Sequence, residues 1–77
     1  MFKLIKIDGN YKQTFAYKKE FRTMQEVFNY LYDKCSDKQD YQIINTKTKR
    51  KYDVIYNRKY SWITAIDTQT ERKINWK

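Results

Sequence analysis

The sequence predicts a small α+β protein in which one helix packs on one face of a small antiparallel sheet, in the chain order ββαββββ. Three observations support this prediction. A hairpin turn signal, Asp8-Gly9-Asn10, separates two segments of alternating polarity. A capping box precedes an apolar stripe at helical spacing. Four segments rich in β-branched and aromatic residues then follow. The length suits a single domain over residues 1–77.

The first two strands are predicted at residues 2–8 and 11–19, on either side of that turn. A two-residue loop pairs even-numbered positions of the first strand with odd-numbered positions of the second. The apolar face predicted by this register holds Phe2, Leu4, Phe15 and Tyr17. The opposite face is predicted to be mostly polar, as is common for an antiparallel hairpin with one buried face.

Residues 23–35 are predicted to form the one helix. Thr23 and Glu26 have the spacing of a capping box, in which both side chains bind free amides at the helix start. The apolar stripe predicted at helical spacing consists of Met24, Val27, Phe28, Leu31 and Cys35. Cys35 is therefore expected to be a packed, unreactive thiol, since free cysteine is commonly buried.

Four further strands are predicted at residues 41–47, 51–57, 60–68 and 72–76. The polar segments between them have lengths that suit hairpins, so the simplest topology is a meander. We expect no internal repeat. The helix should cover one face of the sheet and leave the other partly open.

Residues typical of enzyme active sites are scarce. The chain has no histidine and one glycine, so it lacks the commonest general base and cannot form a glycine-rich phosphate loop. We therefore expect a non-catalytic protein with no cofactor and no metal. One pattern competes with this view: Glu71-Arg72-Lys73 has the Glu-x-Lys form of some metal-dependent nucleases, with Asp53 or Asp67 as partner. Such spacing is common by chance in a chain that is 34% charged.

The positive charge is unevenly distributed. The net charge is +8, which favours nucleic acid or acidic proteins as partners. Between residues 47 and 59, Asp53 is the only acid. The basic residues of this segment are Lys47, Lys49, Arg50, Lys51, Arg58 and Lys59. We expect them to lie close together on the sheet as a basic patch, whereas residues 23–40 should be mildly acidic.

Aromatic residues are interleaved with these basic residues. The candidates for binding contacts are Tyr52, Tyr56, Tyr60 and Trp62. Lysines neutralise phosphates and aromatic faces stack on bases, so this mixture suits single-stranded nucleic acid. In the alternative interpretation the same aromatic residues pack under the helix, because a small core needs several of them.

These features favour a non-catalytic binding protein that engages nucleic acid, or a nucleic-acid-binding complex, through a basic sheet. The alternative is a stoichiometric inhibitor of a host enzyme or of a defence nuclease, such as a CRISPR effector, that uses the same basic sheet or an aromatic patch to occupy an acidic or functional groove. A third interpretation is a structural or regulatory module whose lysines serve solubility. Frequent Asn, Ile and Tyr are typical of A/T-rich codons. This composition favours a phage or mobile element of a low-GC bacterium, and the host cytoplasm as the location. No stretch reaches the ~20 apolar residues of a membrane span, so we expect no membrane partner.

Overall fold

The described part of the protein contains one helix and six strands in a single antiparallel sheet. The computed structural model describes residues 1–9, 12–15, 17 and 19–76. In chain order the elements are β1 (Phe2–Ile7), β2 (Gln13–Phe15), α1 (Met24–Lys34), β3 (Asp40–Asn45), β4 (Lys51–Asn57), β5 (Trp62–Asp67) and β6 (Lys73–Asn75). The predicted class, a small antiparallel sheet with one helix, is confirmed.

The order of the strands in the sheet differs from their order along the chain at one point. The sheet runs β2-β1-β3-β4-β5-β6, so β1 lies between β2 and β3. The chain leaves the edge strand β2, passes through α1 and returns on the other side of β1. The apolar strand β1 thereby gains a partner on both edges, and the short, exposed β2 takes the edge. The predicted meander holds only from β3 to β6.

The register of the first hairpin differs from the prediction. Ile5 pairs with Phe15, and Ile7 pairs with Gln13, so odd positions pair with odd positions. A shift of one residue moves every side chain of a strand to the other face of the sheet. Phe15 therefore shares a face with Ile5 and is 58% exposed, whereas Leu4 is buried on the opposite face.

The connection between β1 and β2 is longer than the two-residue turn that we predicted. The last pair of the two strands is Ile7 with Gln13, so five residues connect them. Two hydrogen bonds join Asp8 and Lys12 across this connection. The Asp8 N–H donates to the Lys12 carbonyl at 3.1 Å, and the Asp8 carboxylate accepts the Lys12 N–H at 3.0 Å. The predicted turn includes residue 10, which lies outside the described residues.

Helix α1 begins at the predicted capping residues. The Thr23 hydroxyl accepts the Glu26 N–H at 3.2 Å, and the Glu26 carboxylate accepts the Arg22 N–H at 3.0 Å. The helix is capped at its other end by Cys35, whose N–H donates to the Leu31 carbonyl. No helix in the described ranges is long and apolar enough to cross a membrane.

The hydrophobic core lies between α1 and one face of the sheet. Its most completely buried side chains are Leu4, Val27, Phe28, Leu31, Ile43, Ile63 and Ala65. Three aromatic rings, those of Tyr17, Phe21 and Tyr30, pack against this core with centroids 4.7–5.5 Å apart. The predicted apolar stripe of the helix therefore does face the sheet.

Three hairpin turns in the second half of the chain share one geometry. Each begins at an Asn or Asp whose side chain accepts a backbone N–H two or three residues later, at Asn45, Asn57 and Asp67. Four positions further on, each turn has a residue in the left-handed region: Lys49 (φ 64), Ser61 (φ 55) and Glu71 (φ 61). Asx side chains form such turns readily.

The first and third of these turns also repeat in sequence. Residues 45–51 read Asn-Thr-Lys-Thr-Lys-Arg-Lys, and residues 67–73 read Asp-Thr-Gln-Thr-Glu-Arg-Lys. In both, the second threonine accepts the N–H of the following arginine two positions on. The expectation of no internal repeat is therefore wrong at the scale of a single turn.

Glycine at the left-handed positions is expected to stabilise the protein. The left-handed conformation costs a non-glycine residue roughly 1–2 kcal/mol, and the greater freedom of glycine in the unfolded chain offsets part of the gain. Lys49→Gly or Glu71→Gly should raise the free energy of unfolding in urea by about 0.5–1 kcal/mol. Lys47→Gly in the same turn, where φ is not positive, is the control and should destabilise. Equal effects at Lys47 and Lys49 would contradict the turn geometry.

Candidate functional site

The six predicted basic residues lie at two ends of the sheet. Lys47, Lys49, Arg50 and Lys51 lie in or next to the β3–β4 turn, and Arg58 and Lys59 lie in the β4–β5 turn. These turns are separated by the seven residues of β4, which is about 20 Å long. Consecutive turns of an antiparallel meander alternate between the two ends of the sheet. The expectation that all six residues lie close together is therefore wrong.

The β5–β6 turn lies beside the β3–β4 turn and adds two basic residues to that end. The Thr68 N–H donates to the Lys51 carbonyl at 3.1 Å, which brings the two turns together. Arg72 and Lys73 therefore lie near the first basic turn. We call this group the basic end, and it consists of Lys47, Lys49, Arg50, Lys51, Arg72 and Lys73. The repeated Thr-x-Arg-Lys sequence is the signal from which Arg72 and Lys73 were predictable.

Arg50 contributes to the structure of the basic end. Its guanidinium lies 2.9 Å from the buried carboxylate of Asp67. The second oxygen of that carboxylate accepts the N–H groups of Gln69 and Thr70. These two amides and Arg50 lower the pKa of the Asp67 carboxyl, the Gln69 amide most strongly, against the opposing effect of burial. Arg50 therefore ties the two turns together.

The lysines of the basic end are available for an external partner. Lys47, Lys49 and Lys51 are exposed, and so is Lys73. Within the described ranges the structure contains one ion pair, that of Arg50 with Asp67. The lysine ammonium groups are thus free to bind anions.

At the opposite end of β4, Arg58 connects the β4–β5 turn to the helix side of the protein. Its N–H donates to the Asp37 carboxylate at 3.0 Å, and its guanidinium lies 5.6 Å from the centroid of the Tyr32 ring. Lys59 lies next to it, with Nζ 5.6 Å from the centroid of the Tyr60 ring. Arg58 is thus held by structural contacts, and Lys59 lies beside an exposed aromatic ring.

The four predicted aromatic contacts divide between the core and the surface. Tyr52 and Tyr56 pack against the core on the helix side of β4. The Tyr56 hydroxyl lies 3.3 Å from the Cys35 carbonyl, to which it donates. Tyr60 and Trp62 are 59% and 66% exposed, and their ring centroids are 5.8 Å apart. Two of the four therefore pack against the core, and two are open to a ligand.

The sheet has a second face that no described element covers. Its strand residues alternate with those of the core, and the exposed or partly exposed ones include Lys3, Phe15, Lys51, Ile55, Trp62 and Lys73; we call this the open face. Ile55 is 55% exposed, close to the values for Phe15 and Trp62. The Lys3 ammonium lies 4.9 Å from the centroid of the Phe15 ring. The open face therefore combines lysines with large apolar side chains.

The two candidate partners of Glu71 in the nuclease-like pattern, Asp53 and Asp67, lie on opposite faces of the sheet. Asp53 lies on the open face, where it accepts a hydrogen bond from the Gln42 amide at 2.8 Å. Asp67 lies in the neighbouring strand on the helix side and pairs with Arg50. Among the residues described, no three His, Cys, Asp or Glu side chains form a group that could hold a metal ion.

Cys35 and Tyr41 contact each other at the end of the helix. Burial raises the pKa of the Cys35 thiol, against the opposing effects of its hydrogen bond with Tyr41 and of Lys6. Burial, with the neighbouring thiol, raises the pKa of Tyr41 to about 12. Both groups are consequently protonated near neutral pH, and the reactive thiolate form of Cys35 is disfavoured.

No protein-family model, curated protein sequence or solved structure matches this chain at a significant level. The function of this protein is therefore inferred from the basic end, the open face and the exposed aromatic residues.

Proposed function

We propose that this protein is a non-catalytic binding protein that engages nucleic acid through the open face and the basic end of its sheet. The observation that carries the proposal is the placement of Lys51 and Lys73. Both lysines belong to the basic end, and both project from the open face. The positive charge of the basic end thus extends onto the same face of the sheet that carries Trp62.

The charges of the basic end support a polyanion as the partner. Three acids lie at this end: Asp67 is paired with Arg50, Glu71 lies in the β5–β6 turn, and the Glu20 carboxylate accepts a hydrogen bond from the Thr46 hydroxyl at 3.4 Å. Lysines that neutralise phosphates release condensed counterions, and this release is the main source of affinity for nucleic acid. A basic surface with few acids therefore binds a phosphate backbone better than it binds most proteins.

The exposed side chains of the open face support contacts with bases as well as phosphates. Aromatic rings on a sheet surface stack on unpaired bases, and this contribution is added to that of the lysines. Trp62 supplies such a ring on the same face as Lys51 and Lys73. The proposal needs no group with acid, base or metal chemistry.

A negative charge introduced on the open face tests whether this face binds nucleic acid. Fluorescently labelled single-stranded DNA and RNA would be titrated with the wild type and Ile55→Glu, and affinity compared at low and moderate salt. Ile55 is exposed, so the fold should survive. Ile55→Glu should weaken binding by about tenfold, because like charges at an interface are strongly unfavourable.

The matched control adds one negative charge on the helix side. Thr14 is exposed on the edge strand β2 and pairs with Lys6, on the face opposite to that of Phe15. Thr14→Glu should leave the affinity within about twofold, since salt screens charges more than about 10 Å apart. Absence of binding by the wild type at low salt would remove the proposal. Equal losses for the two variants would show that charge alone matters and that the open face has no special part.

The exposed apolar side chains favour a second candidate, an inhibitor that occupies a groove on a host enzyme or a defence nuclease. Ile55 and Trp62 expose large apolar area, and such area is typical of protein interfaces. The test is capture of partners from bacterial lysate with and without nuclease treatment. A single protein retained after nuclease treatment, with purified components binding directly, would favour the inhibitor.

Either candidate function suits a phage-encoded or mobile-element-encoded protein that acts in the host cytoplasm.

A further inference from the structure

We propose that the cleft beside Tyr60 and Trp62 holds one unpaired nucleobase and gives the protein a preference for single-stranded over duplex nucleic acid. The inference rests on the proposed function and deepens it, because it names the part of the ligand that this cleft takes. The cleft lies at the edge of the sheet, where β6 ends beside the first residues of β5.

The shape of the cleft follows from the unequal lengths of the two strands. Thr64 of β5 pairs with Asn75, the last residue of β6, and the Trp76 backbone N–H still donates to the Ile63 carbonyl. Trp62 therefore lies just beyond the part of β5 that is bonded on its β6 side. The cleft has a volume of about 540 Å³, within the range of roughly 300–1,000 Å³ typical of small-ligand sites. The residues that line it include Tyr60, Ser61, Trp62, Thr64, Asn75 and Trp76.

The two tryptophans at the cleft have different roles. Trp76 is partly buried, and its ring packs on Tyr32 at a centroid distance of 4.7 Å. Its backbone N–H donates to the Ile63 carbonyl at 2.9 Å, and its indole N–H donates to the Asn29 side-chain oxygen at 3.0 Å. It therefore forms a fixed wall. Trp62 is 66% exposed, and its ring contacts that of Tyr60 at a tilt of 40°. The exposed indole offers a large flat surface, which a base can cover by stacking.

Polar groups in the cleft can bind the edge of a base. The Thr64 hydroxyl donates to the Asn75 side-chain oxygen at 2.9 Å. This contact leaves the amide nitrogen of Asn75 as a donor without a hydrogen bond among the described residues. The hydroxyl of Ser61 likewise makes no hydrogen bond within that part of the chain. Stacking with edge contacts from amide and hydroxyl groups is the usual way in which unpaired bases are bound.

The charge at the cleft favours a nucleotide over an apolar peptide side chain. Lys59 precedes the lining residue Tyr60, its Nζ lies 5.6 Å from the centroid of the Tyr60 ring, and no ion pair engages it within the described ranges. The nearby carboxylate of Asp37 accepts the Arg58 N–H. A nucleotide whose base stacks on Trp62 therefore brings its phosphate towards an unpaired cation, whereas an apolar side chain would leave that cation without a partner.

The same arrangement discriminates against duplexes. A paired base is already stacked between its neighbours, and it must be extracted before it can contact a protein ring.

The cleft and the basic end are within reach of one single strand. Asn57 at the end of β4 pairs with Trp62, so the distance from Trp62 to Lys51 is about the length of β4. That length is about 20 Å, or about six stacked nucleotides, so one single strand can reach both the cleft and the basic end.

The test compares Trp62→Ala and Trp62→Phe with the wild type, using a single-stranded oligonucleotide and the duplex of the same sequence. Trp62→Ala should lower the affinity for the single strand about 5- to 150-fold, equivalent to about 1–3 kcal/mol for one stacked base. The affinity for the duplex should not change. Trp62→Phe should retain most of the single-strand affinity, because the phenyl ring still stacks.

The results of these titrations distinguish the nucleobase site in the cleft from the proposed function of the whole protein. Salt-dependent binding by the wild type that Trp62→Ala leaves unchanged, or weakens equally for single strand and duplex, would overturn the base site while the proposed function stands. If the wild type binds neither ligand at low salt, both are overturned. Loss of a purified protein partner on Trp62→Ala, without any effect on nucleic acid, would show that the cleft takes a protein side chain.

Discussion

Phe28→Ala is expected to lower the free energy of unfolding by about 3–5 kcal/mol. Phe28 is 1% exposed and lies on the stripe of α1 that packs on the sheet. Replacing it by alanine removes the hydrophobic stabilisation that comes from burying a large ring away from water. It also leaves a cavity that a small core cannot close. A protein of 77 residues has a total stability of only about 4–12 kcal/mol, so this single change removes a large share of it. Urea unfolding followed by circular dichroism measures the loss.

Phe15→Ala is the matched control, because it makes the same chemical change at a residue that is 58% exposed. It should cost less than about 1 kcal/mol, since it removes only the contact of the ring with the Lys3 ammonium and some partly buried area. The pair also tests the register of the first hairpin. If Phe15→Ala cost as much as Phe28→Ala, Phe15 would lie in the core, as the two-residue turn predicts, and the observed pairing of Ile5 with Phe15 would be wrong.

The second large effect is expected from the charges of the basic end. If phosphates bind there, the triple change of Lys47, Lys49 and Lys51 to alanine should reduce the slope of log affinity against log salt by about 2 units for single strands, since each phosphate contact contributes about 0.7. The wild type and the variant would be titrated at several salt concentrations. Arg50 is left intact because it pairs with Asp67 and its removal would disturb the turns.

A second triple change removes the same charge elsewhere. Lys12, Lys34 and Lys38 are exposed and lie away from the basic end, in the β1–β2 loop, the last turn of α1 and the α1–β3 loop. Their replacement by alanine should leave the salt slope nearly unchanged. Equal reductions by both triple changes would indicate diffuse attraction to the whole protein. If the partner is a protein, the first triple change should mainly slow association, while exposed aromatic residues govern dissociation.

Several features of the site could be predicted from the sequence, and others were predictable but missed. The basic loop at Lys47–Lys51 and the exposed pair Tyr60 and Trp62 were both candidates for binding, and the structure places them at opposite ends of β4. Arg72 and Lys73 were detectable from the repeated turn sequence. Tyr52 and Tyr56 were also candidates, but they pack against the core, because strand alternation alone does not say which face the helix covers.

Local patterns in the sequence account for the elements of this protein, and contacts between distant residues account for their arrangement. Thr23 and Glu26 bind amides within one turn, so the start of α1 is encoded locally. Alternating residues likewise predict the strands. The insertion of β1 between β2 and β3, and the pairing of Ile5 with Phe15, depend on which apolar residues find partners across the sheet. A strand has two faces of similar local preference, so a shift of one residue changes little locally but exchanges core and surface.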